Sequence, residues 1–160
     1  LQFIEQPFAA HDLDSHAQLS QRSATSVCLD ESVMTTSQLL TALDLGACDV
    51  VNIKPSRVGG IREAISMHDL LVERGVDAWV GGMLETGIGR ASCLALASMP
   101  GFTLTPDLSA SARYFQRDVT APFVLDDGCL HVPQGKGIGV EPLEEVLAEK
   151  NVVIETVFEH

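Results

Sequence analysis

Hydrophobic and polar positions follow two rhythms along this chain. Short apolar runs rich in β-branched residues alternate with longer stretches where apolar residues recur every three or four positions. The first rhythm predicts strands and the second amphipathic helices. Residues 1–6 read as a strand stopped by Pro7, and residues 12–21 as a helix with Leu13, Ala17 and Leu19 apolar. A second strand spans 26–29 and runs into Asp30-Glu31-Ser32. Ser37 is the expected N-cap of a helix reaching Leu45, with Gly46 as its stop signal. Residues 49–53 form a third strand, which gives way at Lys54 to a Pro/Gly turn. Residues 60–74 carry Ile61, Ala64, Ile65, His68, Leu71 and Val72 at helical spacing, ended by Gly75. A fourth strand at 76–80, a helix at 88–98 and a fifth strand at 102–105 follow.

Strand and helix alternate with short connections, which predicts an α/β fold of parallel strands and crossover helices. The strand ends are evenly spaced: 25 residues from Glu5 to Asp30, 24 to Lys54, 28 to Gly82 and 25 to Asp107. Polar residues fall at the C-terminal end of each strand, where both open α/β sheets and (β/α)8 barrels place their chemistry. Beyond Asp107 the pattern changes. Apolar residues 123–125 and residues 129–132 flank Asp126-Asp127-Gly128 and predict a hairpin with an Asp-Gly turn. Residues 134–140 are a glycine-rich loop whose order is not the dinucleotide fingerprint. A short acidic helix at 142–150 and a strand at 152–157 complete the tail, expected to pack on something other than the preceding helices.

Composition narrows the function classes. With 160 residues, 46% of them hydrophobic, the chain can bury one sizeable core. A net charge of −12 and no basic run longer than two residues argue against nucleic acid and against an anionic membrane face. No leader is expected, and the sequence has no apolar run of membrane length. Cys28, Cys48, Cys93 and Cys129 form no C-x-x-C and have no histidine cluster beside them, so they read as free thiols in a reducing cytoplasm. The chain opens mid-strand without methionine and reads as the tail of a longer one.

Three successive strand ends present Glu5, Asp30 and Lys54. Lys54 is one of only three lysines, and a lysine at the mouth of a buried strand is costly unless its charge is used or paired. Neighbouring parallel strands would bring the three side chains to one mouth. Two carboxylates there resist joint ionisation unless a cation sits between them, and oxygen ligands suit Mg2+ or Mn2+. Like-charge repulsion would favour Lys54 as a neutral amine able to take a proton, and the same ion would stabilise an enolate oxygen. The chemistry that fits is proton abstraction next to a carboxylate. Taken singly, an acid at a strand end more often caps a helix or solvates a loop. Recurrence in the same register carries the reading.

Ile4-Glu5-Gln6-Pro7, Leu29-Asp30-Glu31-Ser32, Asn52-Ile53-Lys54-Pro55 with Val58-Gly59-Gly60, and Gly81-Gly82-Met83-Leu84-Glu85-Thr86-Gly87-Ile88-Gly89 together resemble the muconate-lactonising subgroup of the enolase superfamily. Within it, the o-succinylbenzoate synthase / N-acylamino acid racemase family is the nearest match, from Leu1 to about Val140. The resemblance implies the C-terminal portion of an enolase-type (β/α)8 TIM barrel. About five βα units, strands 4 to 8, would occupy 1–121, and a hairpin and helix tail at 122–160 would pack on a capping domain upstream of Leu1. Glu5 and Asp30 match metal ligands for Mg2+ (or Mn2+), and Lys54 matches a catalytic lysine that is base or acid according to substrate hand. Glu31 and Asn52 match residues that orient the ligands. Gly82, Met83 and Leu84 match the substrate-binding strand end, and Asp107 and Ser109 the last strand end, where a plain loop role fits equally. Arg57 and Arg90 offer anion-binding groups but read rather as helix-surface residues.

The implied enzyme is a lyase or isomerase when full length. It would form a metal-stabilised enolate and act as an o-succinylbenzoate synthase in menaquinone biosynthesis, as an N-acylamino acid racemase, or as both. Cycloisomerase and dipeptide epimerase activities stay open, although the absence of an Asp-x-Asp pair after the seventh strand counts against the epimerase. The family's Lys-x-Lys strand and first metal carboxylate have no counterpart in this chain. A barrel of this class takes ~250 residues, so three βα units are expected upstream and the piece alone is expected to be inactive. Expected partners are a small-molecule carboxylate and identical subunits of a full-length homo-oligomer, in the cytoplasm. A reading from another class is a non-catalytic assembly module that pairs its open sheet edges with a second copy.

Overall fold

The structure, a computed structural model, describes residues 1–149. Four strands, β1 (Phe3–Glu5), β2 (Ser26–Leu29), β3 (Val50–Ile53) and β4 (Asp77–Val80), form one all-parallel sheet in the order β1-β2-β3-β4. Helices α1 (Leu13–Arg22), α2 (Thr36–Asp44) and α3 (Ile61–Arg74) connect them, α4 (Gly87–Ala97) follows β4, and α5 (Glu144–Glu149) lies in the tail. The expected strand at 152–157 and the last residue of the expected acidic helix lie outside the described residues.

The register fixes which residues share a face. Glu5 pairs with Cys28, Cys28 with Val50, and Asn52 with Trp79. Side chains alternate along a strand, so Glu5, Cys28, Val50, Asn52 and Trp79 point one way, and Leu29, Val51, Ile53, Ala78 and Val80 the other. The second set joins Ala17 of α1, Leu39 and Ala42 of α2, Ala64, Met67 and Leu71 of α3, and Cys93 and Leu96 of α4 in the main core. Helices α1 to α4 therefore cover the same face of the sheet. An open doubly wound sheet has helices on both faces, whereas a barrel wall has them on one. The opposite face keeps a smaller cluster, Cys28, Val50 and Trp79 with Phe3 and Leu104. Above that cluster, toward the C-terminal strand ends, polar residues begin.

Four expectations need correction. The fifth strand at 102–105 is reduced to one parallel bridge between Gly81 and Asp107. Thr103 N and Leu104 N both donate to Ala78 O, at 3.2 and 3.4 Å, so the ladder slips by a residue there, and Pro106 has no N–H with which to resume it. The α2 cap is Thr35, whose extended backbone lets its hydroxyl accept from Gln38 N at 3.2 Å; Ser37 lies inside the helix. The hairpin closes only an Asp126–Cys129 bridge around Asp127-Gly128, both with positive φ as a two-residue turn requires. Finally, the described part of the tail does pack on a preceding helix. Phe123 is buried against Ala91 and Leu94 of α4, with Leu130 and Val140 beside it.

Candidate active site

The site grows from the turn that ends β3. Arg57 N and Val58 N both donate to Lys54 O, and Gly60 N donates to Pro55 O. Gly59 and Gly60 close the turn at φ 88° and 119°, where side chains are disfavoured. Lys54 continues the alternation of Asn52 and so emerges on the face opposite α1 to α4. Its Nζ lies 2.6 Å from Asp30 Oδ2. Asn52 Nδ2 donates to Glu5 Oε1 at 2.7 Å. Three strand ends thus deliver two acids, an amide and an amine to one face, as their spacing anticipates.

Gly81 makes this convergence possible. A Cβ there would fall 2.2 Å from Asn52 Oδ1 and 2.6 Å from Lys54 Cε, so both side chains lie directly over its bare Cα. Gly82 is equally confined, because its Cβ would meet Asp107 O at 2.2 Å.

Arg57 corrects the sequence reading. It is on no helix surface: the turn folds its guanidinium back over the strand ends, where it pairs with Asp30 Oδ1 and donates to Asn52 O. Burial draws its pKa from 12.5 down to about 10, with Glu5 pulling the other way, so it stays protonated at neutral pH. Asp30, itself buried, is therefore gripped by two cations. Arg90 is also no surface residue. It is 1% exposed, and it donates to Glu85 O and Ser111 Oγ and pairs with Asp118 under the neighbouring loops.

The remaining candidates divide. Glu31 and Met83 line one pocket with Asp30, Lys54, Ser56 and Arg57. Gly82 and Asp107 pack backbone to backbone one strand further on. Leu84, largely exposed, and Ser109, half-buried, do not line that pocket. Gln6 was missed by the sequence reading. Its side chain bridges the β1 end to the Asp30 loop, accepting from Asp30 N at 2.8 Å and Ser32 N at 3.2 Å. The available signal was its place directly after Glu5 at a strand end.

The donor chemistry suits a hard cation in kind. Glu5 and Asp30 carry oxygens on one face, the two of Asp30 facing Lys54 and Arg57 and one of Glu5 facing Asn52. The buried Asn52 Oδ1 beside them has no hydrogen-bond partner. A cation bound there would take the place that Lys54 and Arg57 hold on Asp30. Burial pushes the Cys28 thiol, on the same face of the sheet, up to about 12, so it is protonated and offers no thiolate. Among the described residues no set of three or more His, Cys, Asp and Glu encloses a metal. The two carboxylates are at most part of a coordination shell.

Residues 1–146 match the family model for the enolase C-terminal domain-like fold. The chain is 50% identical over 149 residues to an N-succinylamino acid racemase of Amycolatopsis sp, covering 93% of this chain and 40% of that protein. It is 45% identical over 148 residues to an o-succinylbenzoate synthase of Bacillus subtilis (strain 168), covering 92% and 40%. A solved structure of an enolase-superfamily member from Enterococcus faecalis V583 superposes with a TM-score of 0.90 at 45% identity, over 93% of this chain and 41% of that one. The chain thus spans about 40% of the length of the curated relatives it matches, over the C-terminal part of their barrel. Sequence, sheet topology and site geometry agree that this chain belongs to the enolase C-terminal domain-like family of the enolase superfamily.

Proposed function

We propose that the whole protein of which this barrel segment forms part abstracts the proton α to a carboxylate, as an o-succinylbenzoate synthase, an N-acylamino acid racemase or both. The observation that carries the reading is the 2.6 Å contact of Lys54 Nζ with Asp30, on the same face as the Glu5–Asn52 pair. The two relatives named above bear these two activities between them, and both reactions begin by removing one α-proton.

In this reading Lys54 Nζ takes the α-proton as the neutral amine, or returns it as the ammonium, on one face of the substrate. The ion pair with Asp30 is the ammonium form, so Lys54 reaches the base form only when Nζ gives up its proton and that pairing. Gly81 supplies the open floor across which its stem reaches. Glu5 and Asp30 are the residues that would hold Mg2+, with Asn52 orienting Glu5 by hydrogen bond. Bound there, the ion would supply positive charge against the negative charge that builds on the substrate carboxylate as the proton leaves. Met83 and Glu31 line the same pocket as Lys54, and Arg57 adds a second fixed positive charge there.

The test is α-proton exchange in D2O by full-length protein carrying Lys54→Ala, followed by proton NMR, with both N-succinylamino acids and the cyclohexadiene precursor as substrates. Loss of exchange from one face of the substrate is expected. Undiminished exchange from both faces would remove Lys54 from the chemistry.

A further inference from the structure

Gln6 follows the candidate ligand Glu5 and sits in an unusual conformation. Its backbone N–H still donates to Cys28 O at 2.9 Å, extending the β1–β2 ladder by one residue. Its φ is then +39°, in the left-handed region that non-glycine residues seldom occupy. Such a conformation persists where surrounding contacts over-determine it. Here the turn sends the side chain sideways to the end of the next strand. Oε1 accepts from the backbone N–H groups of both Asp30 and Ser32, and Nε2 donates to Ser32 Oγ at 2.7 Å and to Phe8 O at 3.1 Å. One amide therefore ties the residue after Glu5 to the backbone of Asp30.

Behind Gln6 stands His16, fully buried in α1. Its Nδ1 lies 2.7 Å from Asp12 O. A carbonyl only accepts, so Nδ1 carries the proton and Nε2 offers a lone pair. That lone pair accepts from Phe8 N at 3.4 Å, and Phe8 O in turn accepts from Gln6 Nε2. Gln6 Nε2 itself lies 3.3 Å from the ring nitrogen, with its two hydrogens shared among Ser32, Phe8 and His16. The ring meets Phe8 edge-on at 5.2 Å between centroids. Asp12, which caps α1 through Ser15 N, anchors the chain of contacts to the helix. The path runs from a helix N-terminus through His16 and Gln6 to Asp30. A plain turn needs no fully buried histidine behind it.

We infer that Gln6 is a positioning residue that fixes the spacing of Glu5 and Asp30, and that His16 fixes Gln6. The inference rests on the proposed role of the two carboxylates as cation ligands. It adds that their separation is set by this side-chain relay, beyond what the sheet hydrogen bonds impose.

The test titrates metal-free full-length protein with Mn2+ alone, reading free Mn2+ by electron paramagnetic resonance. Gln6→Met keeps the volume and removes every amide bond; a weakening of Mn2+ binding by about 10- to 100-fold is expected. His16→Phe, which retains the ring, weakens binding in the same direction. The double variant is no weaker than Gln6→Met alone, because both act through one amide. Met67→Ala, in the helix-side core, lowers stability without changing Mn2+ affinity. A folded Gln6→Met protein with wild-type Mn2+ affinity overturns the inference, as does full additivity in the double variant. If Gln6→Met does not fold, Ser32→Ala carries the test: weaker binding supports the relay and unchanged binding overturns it. Glu5→Gln and Asp30→Asn separate the two claims. If they bind Mn2+ normally, the cation reading itself falls. If they lose binding while Gln6→Met keeps it, only the relay falls.

Discussion

Gly81→Ala tests the site with one methyl group. Gly81 has no positive φ, so its backbone suits alanine, and any effect must come from the added carbon. That carbon would lie 2.6 Å from Lys54 Cε and 2.2 Å from Asn52 Oδ1, where ordinary contacts begin near 3.4 Å. Lys54 must retreat by roughly 1 Å, and a misplacement of that size at a reacting group costs ~100-fold in rate. Asn52 is buried and bonded to Glu5, so it cannot yield as easily. Overpacking of this kind destabilises by about 1–3 kcal/mol. Gly75→Ala is the matched control. Its φ is +65° and nothing lies within 4 Å of the new carbon, so it costs about 1–2 kcal/mol of backbone strain far from Lys54. Measured by urea unfolding and α-proton exchange on full-length protein, both variants lose comparable stability. Only Gly81→Ala loses the rate. Equal rates in the two variants would refute the placement of Lys54 over Gly81.

Two further outcomes follow from the titrating groups. Burial pushes the Asp118 carboxyl up, but the Ser111 hydroxyl, the Gly87 and Val119 N–H groups and Arg90 outweigh it and hold it below the ordinary value of 3.8. A depressed folded-state pKa contributes stability above about pH 4 that is lost as pH falls through the lowered value. Asp118→Asn should therefore lower stability at pH 7 and flatten the acid limb of the unfolding curve; a parallel downward shift at all pH values would contradict this. Burial likewise pushes Cys28, Cys48 and Cys93 up to about 12, while Cys129 is exposed. Of these four, only Cys129 should react promptly with a disulfide reagent at pH 8, and Cys129→Ser should abolish that fast phase.

Sequence made the site legible only where period-two geometry does the placing. Asn52 and Lys54 are two apart and share a face by strand alternation alone, and Glu5 and Asp30 join them because parallel neighbours keep even register. Arg57 is invisible to that logic. Its guanidinium reaches Asp30 from the turn that Arg57 N and Val58 N close on Lys54 O, with Gly59 and Gly60 at positive φ directly after, and no periodicity encodes the direction of a turn. Gln6 escapes for the same reason, since its side chain is aimed by a left-handed φ that a strand pattern cannot anticipate. The fifth strand failed differently. Phe102 to Thr105 have strand composition, but pairing is a contract with β4, and Pro106 together with the doubled use of Ala78 O breaks it. Arg90 departs from the surface expected of its charge because a buried arginine needs a buried acid, and its partner Asp118 lies 28 residues away. The side chains that alternation brings to one face are strand ends, whereas Arg57, Gln6 and Arg90 are placed by turns or long-range pairings. If that division is physical, substitutions that keep alternation but alter the turns, at Gly59 or Gly60, should leave the sheet intact and scatter the charges around Asp30.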